Sequence, residues 1–331
     1  MDESILAIAV QAYGISPLRL KPTAGGHFTH VYGFSKTGRD YVLRITPPNE
    51  ELDVQASLSI LEWINYLAAH GAPVSSPLRS QHGRLVELID REDQCYMVVA
   101  FEKAQGILAE ELPAGQWSPP LYQELGRTVG KLHALAMTYR PAEALKRPHW
   151  DQSGNCFNPQ RPVDETQAFI QEKRAAVLDI LNTLPKDPES YGLIHADLHF
   201  ANFFVDAARP AFTIFDFDDC AYGWYPMDIA MLLFDILVWH PSPDKQELAR
   251  GFLANFLKGY LEEKGLRPFW LSRLPHFLKL LEIGIYIQLY PKYDPLDCDE
   301  WVGKFMAGRK ERLQNDFPYI DLDFEPVRNL V

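Results

Sequence analysis

The stretch Tyr191–Ala230, YGLIHADLHFANFFVDAARPAFTIFDFDDCAYGWYPMDIA, decides how the rest of the chain is read. It gathers His195, Asp197, His199, Asn202, Asp216, Asp218, Asp219 and Asp228. Two short apolar runs, Asn202–Val205 and Phe212–Phe215, lie between the polar groups, with Asp206–Pro210 separating them. Both runs are rich in β-branched and aromatic residues, which predicts a β-hairpin. A hairpin returns its last residues beside its first, so Asp197, Asn202 and Asp216 are expected to meet at one end.

Two carboxylates and an amide suit a particular chemistry. Hard cations such as Mg²⁺ take oxygen ligands, usually one or two carboxylates plus substrate phosphates. Asn202 and Asp216 would serve, leaving Asp197 to orient a nucleophile. The order His-x-Asp-x-x-x-x-Asn, with Asp-Phe fourteen residues after the Asn, is that of a kinase catalytic loop and its metal-binding aspartate. The plainer reading, a surface hairpin with acidic ends, explains the turn residues but not the whole set at this spacing.

On HADLHFAN and IFDFDDCAYGWYPMDIA the chain resembles the aminoglycoside phosphotransferase and choline kinase family. Its members read His-Gly-Asp-Leu-His-x-x-Asn, then Ile-Asp-Phe, then Asp-Leu-Ala. Ala196 replaces the glycine here, and Ala196 with His199 departs from the Arg and Lys of protein kinases. The resemblance implies a catalytic base at Asp197, Mg²⁺ ligands at Asn202 and Asp216, a brace for the loop backbone at Asp228 and a structural histidine at His195. His199 would brace the loop or touch the phosphoryl group. Turn chemistry accounts for Asp218 and Asp219, with assistance to the metal as the other reading.

Composition sets the outer bounds. The chain has 331 residues, 47% hydrophobic and 23% charged, enough for a sizeable core in one large or two modest domains. A net charge of −12 argues against non-specific nucleic-acid binding and is compatible with a cationic substrate. The four cysteines are far apart without a C-x-x-C pair, which predicts a reducing cytoplasm rather than a zinc site or disulfide framework. MDESILAIAV lacks a basic region and is not read as a signal peptide. No stretch is apolar for long enough to span a membrane.

Upstream, residues 1–14 predict a short helix ending at Gly14, followed by a strand at Leu18–Leu20. Val31–Phe34 and Tyr41–Ile45 read as strands joined by a turn at Lys36–Arg39. Glycine lets backbone approach phosphates closely, so Gly25 and Gly26 are phosphate-loop candidates. By resemblance, Arg44 stands where kinases carry the strand lysine that pairs with ATP phosphates; the alternative is an exposed strand cation. A helix is expected from Glu50 to His70, closed by Gly71. It should offer a carboxylate to the strand cation, but Glu62 falls opposite the apolar stripe and Asp53 in the first turn, so neither is assigned. Leu85–Ile89 and Cys95–Phe101 predict a strand pair. By resemblance, backbone groups of Phe101 and Glu102 would bind the adenine edge.

Beyond Gly106 the pattern turns helical. Helices are expected at Leu121–Met137, Asp164–Leu184, Tyr225–Trp239, Gln246–Lys264 and Trp270–Tyr290, with Pro141–Pro162 irregular. His133 reads as a packed or surface histidine rather than a ligand. Tyr286, Tyr290 and Tyr293 precede Asp294, Asp297, Asp299 and Glu300. This acidic and aromatic rim could hold a cation, or could be a solvated loop with its tyrosines in the core.

The resulting expectation is a two-lobed, protein-kinase-like α+β fold. Residues 1–105 would form a nucleotide-binding lobe, an antiparallel sheet with one long helix. Residues 106–331 would form a mainly helical lobe carrying the catalytic loop and acceptor site. The implied reaction moves the γ-phosphoryl group of ATP, with Mg²⁺, to a hydroxyl of a small molecule of the aminoglycoside, choline or homoserine type. The rivals are a Ser/Thr protein kinase of the same fold and a non-catalytic nucleotide-binding relative.

Overall fold

The computed structural model describes residues 3–16, 20–23, 29–47, 53–91, 94–154 and 156–322. They divide into two compact units. The first comprises the chain up to Gln105 with Arg140–Lys146 and Thr213–Asp218. The second comprises Gly106–Tyr139, Arg147–Phe212 and the chain from Asp219 onward.

The first unit runs α1 (Glu3–Ala12), β1 (Lys21–Thr23), β2 (His30–Lys36), β3 (Arg39–Thr46), α2 (Val54–Ala69), β4 (Pro77–Leu78), β5 (Glu87–Arg91) and β6 (Gln94–Glu102). These strands form an antiparallel sheet in the order β1-β2-β3-β6-β4, with β5 also paired to β6. The β2–β3 turn has positive φ at Thr37 (51°) and Gly38 (78°), the backbone of a tight two-residue hairpin. Strand alternation sorts the side chains. Tyr41, Leu43 and Ile45 of β3 with Val98 and Ala100 of β6 pack in one cluster with Ile5, Ala9 and Val10 of α1. Met97 and Val99, of opposite parity on β6, pack with Leu61 of α2. Arg44, between Leu43 and Ile45, therefore leaves β3 on the face away from α1. Asp53 caps α2 by accepting the Ala56 N–H at 2.9 Å, and Gly71 closes it at φ 78°. The expected strand at Leu18–Leu20 is not formed at Leu20, which is coil, and its other residues lie outside the described residues.

The second unit continues with β7 (Ile107–Leu108), α3 (Pro119–Thr138), α4 (Phe169–Leu181), β8 (Tyr191–Ile194), β9 (Phe203–Asp206), β10 (Ala211–Ile214), β11 (Ala221–Trp224), α5 (Pro226–Trp239), α6 (Lys245–Glu263), α7 (Pro268–Leu271), α8 (Leu274–Leu289), α9 (Glu300–Met306) and α10 (Arg309–Gln314). β9 lies between β7 and β10, and the chain re-enters the first unit within β10. β8 and β11 pair antiparallel. The helix expected over Trp270–Tyr290 is broken into α7 and α8 at Ser272–Arg273. Pro275 has no N–H for the Leu271 carbonyl, and its ring excludes a continuous helix there. The helix expected from Asp164 begins as a 3₁₀ turn at Glu165–Gln167, with Asp164 accepting the Thr166 N–H at 2.8 Å.

Helices α3 and α6 meet backbone to backbone. A Cβ on Gly259 would lie 1.7 Å from the Gln123 carbonyl oxygen, and one on Gly126 would lie 1.9 Å from that of Phe256. Larger residues would force the helices apart. Gly259→Ala is expected to destabilise the protein by about 1–3 kcal/mol in urea unfolding, as overpacked sites do. Gly251→Ala on the same helix, where a Cβ meets nothing within 4 Å, is expected to be neutral or to stabilise by up to about 1 kcal/mol.

Candidate active site

The catalytic-loop sequence is a short irregular segment between β8 and β9. Buried Asp228, in the first turn of α5, holds its start. Its Oδ2 accepts the His195 N–H and its Oδ1 the Ala196 N–H, both at 2.9 Å. Ala196 sits at φ 65°, where an L side chain costs about 1–2 kcal/mol. A glycine would not incur this strain, so the replacement at position 196 is more than a small change, and the carboxylate bonds hold it in place. Asp228 Oδ2 also lies 3.1 Å from Nε2 of His133, whose Nδ1 is 2.9 Å from the Tyr260 hydroxyl. Burial pulls the His133 pKa down. The neutral ring therefore carries its proton on Nε2, donates it to Asp228 and accepts from Tyr260. The close α3–α6 packing delivers both groups.

Around Asp197 the contacts are equally defined. His195 Nδ1 accepts the Asp197 N–H at 3.3 Å. His199 Nε2 is 3.3 Å from Asp197 Oδ2. Burial pushes the Asp197 pKa up, but His199, His195 and Asn202 outweigh it and hold the carboxyl below its ordinary value. Burial pulls His199 down, whereas Asp197, Asp235 and Glu110 raise it to about 9. Its Nδ1 accepts the Ala201 N–H at 3.2 Å, which opposes a second ring proton. The Nε2 proton directed at Asp197 is common to both ring states. Asn202 Nδ2 donates to the Asp197 carbonyl at 2.9 Å and to Oδ2 at 3.0 Å. Both of these oxygens are acceptors, which fixes the amide orientation although Nδ2 also lies 3.1 Å from His199 Nε2, and leaves Asn202 Oδ1 uncommitted among the described residues.

Asp235 was not singled out in the sequence. Two helical turns beyond Asp228 on α5, its Oδ2 accepts the Phe200 N–H at 2.7 Å. Two carboxylates on one helix face thus hold the two ends of the loop. The only available signal was the i, i+7 spacing, hidden within an apolar helix.

In the first unit, Asp216 has φ 60°, a conformation short polar residues tolerate better than most. Arg44 Nη1 is 3.0 Å from Asp218 Oδ2, and Nη2 is 3.3 Å from Oδ1. Burial pulls the Arg44 pKa down, but Asp218 and then Asp216 raise it overall. Its Nε is buried without a hydrogen-bond partner among the described residues. Among the described residues Arg44 thus meets a carboxylate from Asp218 and none from α2, while Asp53 is occupied as a helix cap. Glu102 N–H donates to Ser76 O at 2.8 Å, and Ser75 Oγ donates to its carbonyl at 2.5 Å. Phe101 is paired with Val42 in the sheet. The Glu102 N–H is thus committed within the protein, and its carbonyl keeps one lone pair. Gly25 and Gly26 lie outside the described residues. In the acidic rim, Asp299 caps α9 through the Val302 N–H and Asp294 accepts the Leu296 N–H, each at 2.8 Å. Tyr286 is buried on Gln167 at 2.8 Å.

The sequence model of the phosphotransferase enzyme family matches residues 19–269. The chain belongs to this family. It is 33% identical to amicoumacin kinase of Bacillus subtilis (strain 168), over 98% of this chain and 96% of that protein. The solved structure of amicoumacin kinase hAmiN in complex with AMP-PNP, Ca²⁺ and Ami has a TM-score of 0.87 and 29% identity, covering 98% and 97% of the two chains. A microcompartment-associated aminopropanol kinase shares the fold at a TM-score of 0.72 and 22% identity, covering 100% and 99%. This phosphotransferase has the kinase-like α+β fold and transfers a phosphoryl group from ATP, with a divalent metal such as Mg²⁺, to a hydroxyl of a small molecule.

The raised pKa of Asp235 gives a stability prediction. Burial lifts it to about 6, with His199 and the Phe200 N–H opposing and Glu110 and Asp197 assisting. A carboxyl raised above its unfolded value contributes stability that is present below about pH 4 and lost as pH rises through about 6. Asn at this position retains an acceptor for Phe200 and removes the charge. Asp235→Asn is therefore expected to match wild type in urea unfolding near pH 4 and to exceed it by up to about 3 kcal/mol above pH 7. Turnover should fall further in Asp235→Ala than in Asp235→Asn.

Proposed function

We propose that the acceptor is amicoumacin or a small molecule of that kind, and that Asp197, Asn202, Asp216 and Arg44 carry the transfer. The observation that carries the acceptor reading is the end-to-end match to amicoumacin kinase. The net charge of −12 favours a cationic acceptor, as does the amino alcohol named for the aminopropanol kinase of the same fold. The acidic rim lends less support, because two of its carboxylates serve a turn and a helix cap.

The residues fit a hard cation and a polyphosphate. Asn202 offers an uncommitted amide oxygen and Asp216 a carboxylate, the ligand types Mg²⁺ prefers. Among the described residues no group of three or more His, Cys, Asp or Glu side chains forms a metal cage. Bound MgATP supplies the phosphoryl group and neutralises its charge. Asp197 would accept the hydrogen bond of the acceptor hydroxyl and take its proton as the hydroxyl oxygen bonds to the γ-phosphorus and the bond from that phosphorus to the β,γ-bridging oxygen breaks, releasing ADP. Its low pKa makes it a weak base, which suits a transfer governed mainly by alignment. His199 Nε2–H and Asn202 Nδ2 steady the carboxylate, and Asp228 holds the loop. Arg44, on β3, would supply the cation for phosphate oxygens.

Among the described residues no helix is long and apolar enough to cross a membrane. Cys95, Cys156, Cys220 and Cys298 are free thiols, which supports a reducing cytoplasmic setting.

Incubation with MgATP and amicoumacin is expected to yield ADP and a product heavier by one phosphoryl group in mass spectrometry. Asp197→Asn should reduce kcat by roughly 10²–10⁴-fold, the usual worth of a positioned base, while retaining the thermal shift produced by MgATP. At about a hundred times its Kd, MgATP should add roughly 2.7 kcal/mol to wild type, and Asp216→Asn should lose most of that gain. If wild type turns over other small alcohols but not amicoumacin, the acceptor assignment fails while phosphotransfer stands.

A further inference from the structure

In the kinase arrangement the strand cation is held by a glutamate from the small-lobe helix. Here α2 provides no ion-pair partner for Arg44 among the described residues. The guanidinium instead meets both oxygens of Asp218, at 3.0 Å and 3.3 Å. Both residues belong to the first unit. Asp218 lies two residues beyond Asp216 on the same short segment, and Ile214 in that segment is tied to the unit through Pro73 and Ser75. Its N–H donates to Pro73 O, and its carbonyl accepts the Ser75 N–H, each at 2.9 Å.

We propose that Asp218 is the positioning residue for Arg44, taking the part of the helix glutamate, so that the segment bearing the metal aspartate also orients the phosphate-binding cation. The proposal rests on the phosphotransferase reading of Arg44. Three observations support it. The contact is a two-pronged guanidinium–carboxylate pair, whose geometry orients as well as attracts. The carboxylate is half exposed, with a side-chain exposure of 53% against 24% for Arg44. The Asp218 side of the pair is open to water, which limits what the pair contributes to stability and leaves orientation as its physical role. Finally, Asp218 and Asp216 are two residues apart on one short segment, so a shift of that segment moves both carboxylates together. Anchoring the cation to this segment makes its orientation independent of the placement of α2.

The test is a double-mutant cycle on full-length protein, with ATP and Mg²⁺ varied separately. Asp218→Asn and Asp218→Ala are each expected to lower kcat/KM for ATP by on the order of tenfold, with Asp218→Glu recovering part of the loss. In an Arg44→Ala background, Asp218→Ala should change kcat/KM for ATP by less than about twofold, because residues acting through one contact are non-additive. Glu62→Ala should match wild type. Equal losses in both backgrounds, or a loss restored by excess Mg²⁺, would make Asp218 a metal-site residue and overturn the proposal. Full activity in Asp218→Ala would overturn it as well. Absence of ATP turnover in wild type would instead count against the phosphotransferase reading.

Discussion

The buried carboxylate of Asp228 is the constraint on which the catalytic loop depends. Ala196 must adopt a positive φ for the chain to turn from β8 into the loop, and a non-glycine residue resists that conformation. Two backbone N–H groups converging on one carboxylate offset the strain. A buried charge in turn requires partners, and neutral His133 provides one while being fixed by Tyr260. The chain of dependence runs from two glycines on crossing helices to an aspartate, then to a strained alanine and the candidate base beside it. A packing fault at Gly259 is thus physically connected to the orientation of Asp197.

The site also shows how similar carboxylates acquire different work from their surroundings. Asp197 is kept acidic by imidazole and amide donors, which in the proposed mechanism favours orienting a hydroxyl over abstracting its proton. Asp235 is raised by burial, and its ionisation opposes folding while its oxygen secures the far end of the loop. Asp53, Asp294 and Asp299 each accept a backbone N–H in a helix cap or turn, work that an aspartate does in any protein. Exposure and donor geometry separate these roles, whereas residue type alone does not.

Much of the fold was legible because its signals are local. The β2–β3 hairpin, the cap and stop of α2, the β9–β10 hairpin and the loop motif are each written within a few neighbouring residues. Pro275 was legible too, and its power to split Trp270–Tyr290 should have outweighed the continuous apolar pattern. The cap at Asp53 was likewise readable from its place before the first helical turn.

The sequence by itself determined the family, the reaction class and the identities of the base and metal-ligand candidates, because the spacing His195-x-Asp197-x-x-x-x-Asn202 and the following Asp216 constrain a single short segment. Only the tertiary structure decided that Arg44 pairs with Asp218, that Asp235 holds Phe200, and that His133 supports Asp228. These pairs are separated by 174, 35 and 95 positions. Periodicity and short motifs describe neighbours along the chain. Partners brought together by packing leave no local pattern, since an aspartate in an apolar helix or a turn reads the same until the opposing donor is in place.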